Sequence, residues 1–261
     1  MDNVFKLSSW VAQKLTAVDD SKIFDKVYYY MHILLEKDEI FQAKLHIRMR
    51  CLKPTNTIWL NAVNLSILTD SVSMSTMKSR RLQIVQFLDD EPNQLIGLKF
   101  DENLTTRVDY SLKFNNFSGI ISQKSRHFGL FRNIHFSQNS TLATQFQLNS
   151  ARQVFPCFDQ PDQKAIFWLK MTFDGRKFAA LSNGRVDQRS KKNSWEETTT
   201  FQNTPLMSTY TFAFCLLPID RFKNFTSDDG NVKFQIFYDK YTFSDSQVAI
   251  FMGNLLDIWN C

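Results

Sequence analysis

The sequence predicts an all-β fold: an antiparallel saddle or sandwich of many short strands, followed by a C-terminal amphipathic helix. Three observations carry this expectation. Apolar and polar residues alternate with period two through several runs, most clearly Phe41 to Cys51, the mark of a strand with one face inside and one in water. Turn signals recur between such runs at roughly ten-residue intervals. Helical periodicity is almost absent before Ser244. The 261 residues suffice for one large domain or two small ones. An apolar fraction of 43% with 25 phenylalanines is core-building composition rather than disorder.

In chain order, Met1 to Lys22 carries a weak helical stripe, Val4, Leu7, Val11, Leu15 and Val18. It lacks the uninterrupted apolar core of a signal peptide. Val27 to Leu35 reads as the hairpin partner of Phe41 to Cys51, with Glu36 to Glu39 as the turn. In that second strand Phe41, Ala43, Leu45, Ile47, Met49 and Cys51 face inward; Gln42, Lys44, His46, Arg48 and Arg50 face water. His46 is thereby expected to be an ordinary surface residue. Lys53 to Asn56 closes the strand, and Thr57 to Leu60 and Asn64 to Leu68 begin others. The Ser/Thr-rich stretch Thr69 to Ser79 reads as a loop.

Leu82 to Phe87, Leu95 to Phe100 and Val108 to Phe114 are the next strands, separated by Asp89 to Asn93 and by Asp101 to Thr105. Gly119 to Ile121 and Phe128 to Ile134 follow. Further on, Ala165 to Phe173, Phe178 to Leu181, Trp195 to Phe201, Thr209 to Leu216 and Val232 to Tyr238 keep the strand pattern. Ser244-Asp245-Ser246-Gln247 then forms a capping-box pattern. Behind it Val248, Phe251, Met252, Leu255, Leu256 and Trp259 recur at helical spacing.

The net charge of +5 is mild and scattered, with Arg80-Arg81 and Lys191-Lys192 only pairs, so no nucleic-acid footprint is indicated. No run of about 18 apolar residues exists to cross a membrane as a helix. Cys51, Cys157, Cys215 and Cys261 are dispersed and form no CxxC, which argues against a zinc cluster or a disulfide framework. The first three sit among apolar residues and read as free buried thiols. Sequons begin at Asn64, Asn103, Asn116, Asn139 and Asn224. The absence of an export signal makes a cytoplasmic location the default, and the sequons leave an extracellular or membrane-associated one open.

The chain is organised around Thr144 to Pro161, in which a mostly polar segment feeds an apolar turn, Val154 to Phe158, between Pro156 and Pro161. Each proline fixes its own φ and pushes the preceding residue toward an extended conformation. Two readings fit: a rigid aromatic turn presenting a row of amides to a ligand, or a buried β-corner. Arg152 and Asp159 flank the turn and are expected to pair with each other or with backbone groups.

These residues resemble a known signature. Thr144-Gln145-Phe146-Gln147, then Ala151-Arg152, then Phe155-Pro156-Cys157-Phe158-Asp159-Gln160-Pro161 is similar to the motif near the end of the N-terminal β-domain of zinc aminopeptidases of the aminopeptidase N type. The resemblance continues in Lys164-Ala165, Leu181-Ser182-Asn183, Thr204-Pro205 and Met207 to Tyr210, and upstream in Pro54-Thr55-Asn56. It implies three parts: an N-terminal segment, 1–22; an aminopeptidase N-type β-domain, 23–240; and a helix, 241–261, that opens a catalytic domain. On this reading the chain is truncated before its catalytic half.

The resemblance also implies what the chain lacks. The family's zinc sits on a His-Glu-x-x-His helix, where two histidines one turn apart hold the metal and the Glu is general base. Here His32, His46, His127 and His135 form no such motif, and the family's Gly-x-Met-Glu-Asn segment is missing. No cofactor is therefore expected in this chain, and no hydrolysis by it alone. What remains is recognition of peptide N-termini. The resemblance places Gln145 in the pocket for the first side chain and position 147 beside the peptide's α-ammonium. Gln147 stands where the family has Glu, and Gln160 is a second acid exchanged for an amide. A carboxylate on an ammonium forms charge-assisted bonds that an amide does not. The alternative reading is a stand-alone protein-binding module or pseudo-enzyme that uses the β-saddle for protein contacts.

Overall fold

A computed structural model describes residues 22–35, 39–123, 128–133, 140–228 and 233–259. The helical stripe at Val4 to Val18, His127, His135, Asn139 and Cys261 lie outside the described residues, as does most of the turn expected at Glu36 to Glu39. The strands are β1 (Phe24–Leu35), β2 (Ile40–Cys51), β3 (Thr55–Asn61), β4 (Leu65–Ile67), β5 (Val72–Thr76), β6 (Arg81–Leu82), β7 (Ile84–Asp90), β8 (Leu95–Leu104) and β9 (Asp109–Ile120). They continue with β10 (Gly129–Asn133), β11 (Thr141–Gln145), β12 (Ala165–Asp174), β13 (Phe178–Ser182), β14 (Val186–Lys191), β15 (Glu196–Phe201), β16 (Phe214–Pro218), β17 (Phe222–Asp228) and β18 (Lys233–Asp239). The helix α1 spans Asp245–Trp259.

The largest sheet runs β14-β15-β12-β1-β2-β9-β5-β6, with β4 also on β9. Two smaller sheets, β10-β11-β16-β13 and β3-β8-β7, and the hairpin β17-β18 complete the all-β architecture. Its pairs are antiparallel except β1 with β12, which run parallel from Val27 opposite Ala165 to Leu35 opposite Phe173. A parallel pair needs a long crossover, and here the crossover is the whole chain between β1 and β12.

Period-two patterning explains the core. On β1 and β2 the burial alternates as the sequence dictates, so Tyr29, Met31 and Ile33 pack beside Ala43, Leu45 and Ile47. Phe167, Leu169, Met171 and Phe173 of β12 and Leu112 and Phe114 of β9 extend that face. The small sheets cover it with Ile58, Leu60, Leu98, Phe100, Leu142, Ala180 and Leu216, all in one contiguous apolar cluster. Burial of this kind contributes about 25 cal/mol per Å² of apolar surface removed from water.

The structure differs from the sequence reading at several points. The expected loop Thr69 to Ser79 contains β5, which pairs with β9 and buries Met74. Its Ser73 and Ser75 face away, so the Ser/Thr richness marks one face of a strand. Gly119 to Ile121 is not a separate strand, because β9 reaches Ile120. β14 and β17 were not expected. In α1 the capping box forms reciprocally: Ser244 N donates to Gln247 Oε1 (2.9 Å) and Gln247 N to Ser244 Oγ (3.3 Å). Val248 and Met252 are buried as the spacing predicts, but Phe251 is 59% exposed.

Candidate functional site

The central stretch begins as β11, held between β10, where Gly129 lies opposite Gln145, and β16, where Ala143 lies opposite Cys215. The strand end is fixed by Thr144, whose Oγ1 donates to Phe214 O (3.1 Å) and accepts from Phe214 N (3.0 Å). Alternation then sorts the next three residues: Gln145 and Gln147 are exposed and Phe146 between them is buried. The Phe146 ring packs against Phe155, Phe212 and Phe214, with centroids 6.0 to 6.3 Å away. Ser150 N donates to Phe146 O (2.9 Å) and closes the turn.

Both sequence-predicted site residues thus stand on one outward turn above an aromatic floor. They touch each other through the backbone: Gln147 N donates to Gln145 Oε1 at 3.2 Å. That bond orients the Gln145 amide through its oxygen. Two amides offer donors and acceptors but cannot carry a proton to or from a ligand.

The apolar turn behind them is a buried corner, so the two sequence readings apply to different residues. Ala151, Val154, Phe155 and Cys157 are fully buried. Arg152 Nε donates to Asp159 Oδ2 at 2.9 Å, with side-chain exposures of 8% and 1%. Arg152 Nη1 also donates to Gln94 Oε1 (3.1 Å). Gln94 and Asn61 were missed by the sequence reading, having no local motif. Asn61 exchanges both backbone bonds with Cys157 and accepts from Asp159 N through Oδ1 (3.2 Å). Burial pushes the Asp159 carboxyl up from its ordinary value, outweighing the downward pull of Arg152. Burial likewise pushes the Cys157 thiol well up, which makes it an inert free thiol. Phe158 N donates to Tyr29 OH, Ser208 Oγ to Pro161 O and Thr209 Oγ1 to Phe158 O. The turn is therefore braced against β1, β3 and the Ser208–Thr211 segment.

A family model of the peptidase M1 N-terminal domain matches residues 25–211, from the start of β1 to just short of β16. The chain belongs to the M1 peptidase family. The chain is 31% identical over 198 residues to aminopeptidase M1 of Arabidopsis thaliana, covering 74% of this chain and 22% of that protein. It is 30% identical over 195 residues to human aminopeptidase Q, covering 69% and 19%. Over 209 residues it is 26% identical to human glutamyl aminopeptidase, covering 77% and 21%. The chain thus spans about a fifth of the length of these relatives.

In this M1 N-terminal domain no group of three or more His, Cys, Asp or Glu side chains stands close enough to hold a metal, among the described residues. The two described histidines are poor ligands for another reason. His32 Nε2 is hydrogen-bonded to Thr172 Oγ1 (2.9 Å) and lies between Lys170 and Lys44. His46 Nε2 is hydrogen-bonded to Ser111 Oγ (2.8 Å) beside Lys113 and Arg48. A cationic surround, with Nε2 of each imidazole already engaged, does not fit zinc. His46 is also half-buried and stacked on Tyr30, with centroids 5.3 Å apart, rather than freely solvated. Alternation gave its face correctly; the neighbouring ring was invisible locally.

Proposed function

We propose that the domain supplies the substrate-recognition wall of an M1 aminopeptidase and does no chemistry by itself. Gln145 takes the first side chain of a peptide, and Gln147 accepts a hydrogen bond from its α-ammonium. The observation that supports this most is the braced turn. It places these two amides side by side in solvent over a rigid aromatic floor, at the positions where the family motif has its substrate-contacting residues. The division into 1–22, 23–240 and 241–261, with the last opening a catalytic half that carries zinc, belongs to the same proposal. The relatives' greater length supports it.

Because the carboxylate expected at position 147 is an amide, the ammonium is held by a dipole rather than a charge. The domain therefore binds free amino termini weakly. The test is a titration of the 261-residue chain with short peptide amides, followed through the side-chain NH₂ resonances of Gln145 and Gln147. Free-amine peptides are expected to shift both resonances, and N-acetylated ones neither. Equal shifts for both ligands, or shifts confined to other residues, contradict the proposal. Turnover of aminoacyl-amides by this chain with added zinc contradicts its non-catalytic half.

A further inference from the structure

The proposed peptide site does not use the outer face of the large sheet, and the fold assembles there what the sequence scatters. Cross-strand register sets its rows. Tyr28 lies between Ile166 and Arg48, Tyr30 between Trp168 and His46, and His32 between Lys170 and Lys44. From β2 to β9, His46 faces Lys113 and Arg48 faces Ser111. Three strands, β2, β9 and β12, thus bring Lys44 and Arg48, Lys113, and Lys170 onto one surface.

Those four cations are unneutralised. None lies in an ion pair among the described residues. Three carboxylates that share the face are already taken, Asp109 by Arg50 at 2.6 Å, Asp174 by Arg176 at 2.8 Å and Glu196 by Lys192 at 3.3 Å, and Asp25 lies opposite Arg50 at the far end of the rows, away from Lys44, Lys113 and Lys170. Arg48 keeps its guanidinium 5.7 Å from the Tyr28 ring centroid, and its Nε is buried with no hydrogen-bond partner among the described residues. The whole chain carries a net charge of only +5, so four unpaired cations on one face make a polarised molecule. Such a face attracts a polyanionic partner over about a Debye length.

The side chains between the cations narrow the choice of partner. Tyr30 stands with its ring stacked on His46 and tilted 50° to Trp168 at 6.2 Å. Tyr30 and His46 use ring faces on one another, whereas single-stranded nucleic acid is held by bases stacked on free ring faces. At the end of the same face Ile40 and Ile120 are direct cross-strand partners, 46% and 67% exposed. Cations for headgroups, Trp and Tyr at headgroup level and an exposed aliphatic pair on a broad sheet suit an acidic bilayer. Among the described residues no helix is long and apolar enough to cross a membrane, and a surface attachment needs none. The geometry points to peripheral docking of this face on an anionic lipid bilayer. Lys44, Arg48, Lys113 and Lys170 meet the phosphate-bearing headgroups, while Ile40 and Ile120 enter the acyl boundary. This is independent of the peptide reading, which uses the turn after β11, a strand of a different sheet.

The experiment is co-sedimentation of the 261-residue chain with phosphatidylcholine vesicles, with and without phosphatidylserine, at low and high salt. Binding is expected only with phosphatidylserine and to weaken as salt rises. Lys44→Gln with Lys170→Gln is expected to lower vesicle affinity about thirtyfold. Lys78→Gln with Lys191→Gln, on other surfaces, leaves affinity unchanged. Ile40→Ser with Ile120→Ser lowers affinity without altering the salt dependence. All these side chains are partly or fully exposed, and circular dichroism checks that each variant folds. Three results overturn the proposal: no sedimentation with phosphatidylserine vesicles, equal losses in the two lysine variants, or retention on heparin or single-stranded DNA without vesicle binding.

Discussion

Arg152 and Asp159 form an almost wholly buried ion pair, Nε to Oδ2 at 2.9 Å, that ties the two ends of the aromatic turn together behind the exposed Gln145 and Gln147. The carboxylate's other oxygen, Oδ1, is buried without a hydrogen-bond partner among the described residues. The turn thus depends on the one charged contact it has. Removing one member of a buried pair costs about 3–5 kcal/mol, because the other charge is stranded.

Arg152→Met is therefore expected to lower stability by about that amount, read from the urea midpoint. The pH dependence follows from the Asp159 carboxyl, which burial already holds above the ordinary carboxylate value. Without the guanidinium its folded pKa rises further. A carboxyl raised in the folded state stabilises when protonated, and that contribution is lost as pH rises above the unfolded value. The variant's defect is therefore expected to be larger at pH 7 than at pH 4. A defect that shrinks with rising pH would show that Asp159 is not the stranded charge.

The histidines give the opposite slope. Burial first, then Lys170 and Lys44, lower His32 to about 4. Burial, then Lys113 and Arg48, lower His46 to about 4. The unfolded chain binds protons near 6.5 while the folded one does not. The stability these groups confer is complete above that value and is lost as pH falls from 6.5 toward 4. Replacing both, His32→Gln with His46→Gln, is expected to flatten the loss in that window. Histidine NMR titration midpoints near 6.5 in the folded protein would refute the assignment.

Gly119 sits in β9 opposite Phe41, and an added Cβ would press on the Phe41 ring and lie 2.9 Å from Leu65 Cδ2. Phe41 is fully buried and cannot swing away. Gly119→Ala is expected to cost about 1–3 kcal/mol as overpacking. Gly253→Ala, which meets nothing within 4 Å, should raise helix stability instead by about 1 kcal/mol. Thermal melts of the two single variants, moving in opposite directions, check the pair.

Much of the fold was legible because alternation decides faces. β1, β2, β12 and the capped α1 follow from their own residues. β14 was not legible: all six of its residues are exposed, so no apolar period marks it, and it exists because β15 supplies its hydrogen-bond partners. The parallel pairing of β1 with β12 joins residues more than a hundred positions apart, which no local pattern encodes. At the candidate site, Gln145 and Gln147 stood out only through the resemblance, whereas the Arg152–Asp159 pair was readable. The bracing by Gln94 and Asn61 was not, since an amide at a turn carries no sign of what it will meet. The cationic face escaped for the same reason, its members being spread over β2, β9 and β12.

Peptide affinity before and after Gln147→Glu tests the account most directly, measured by calorimetry on the 261-residue chain. A carboxylate at this exposed position turns a neutral hydrogen bond to the ammonium into a charge-assisted one, worth about 1 kcal/mol more. The expected result is an affinity gain of roughly fivefold to tenfold for free-amine peptide amides and none for their N-acetylated forms. No gain, or the same gain for both, contradicts the claim that this turn receives the peptide's amino terminus.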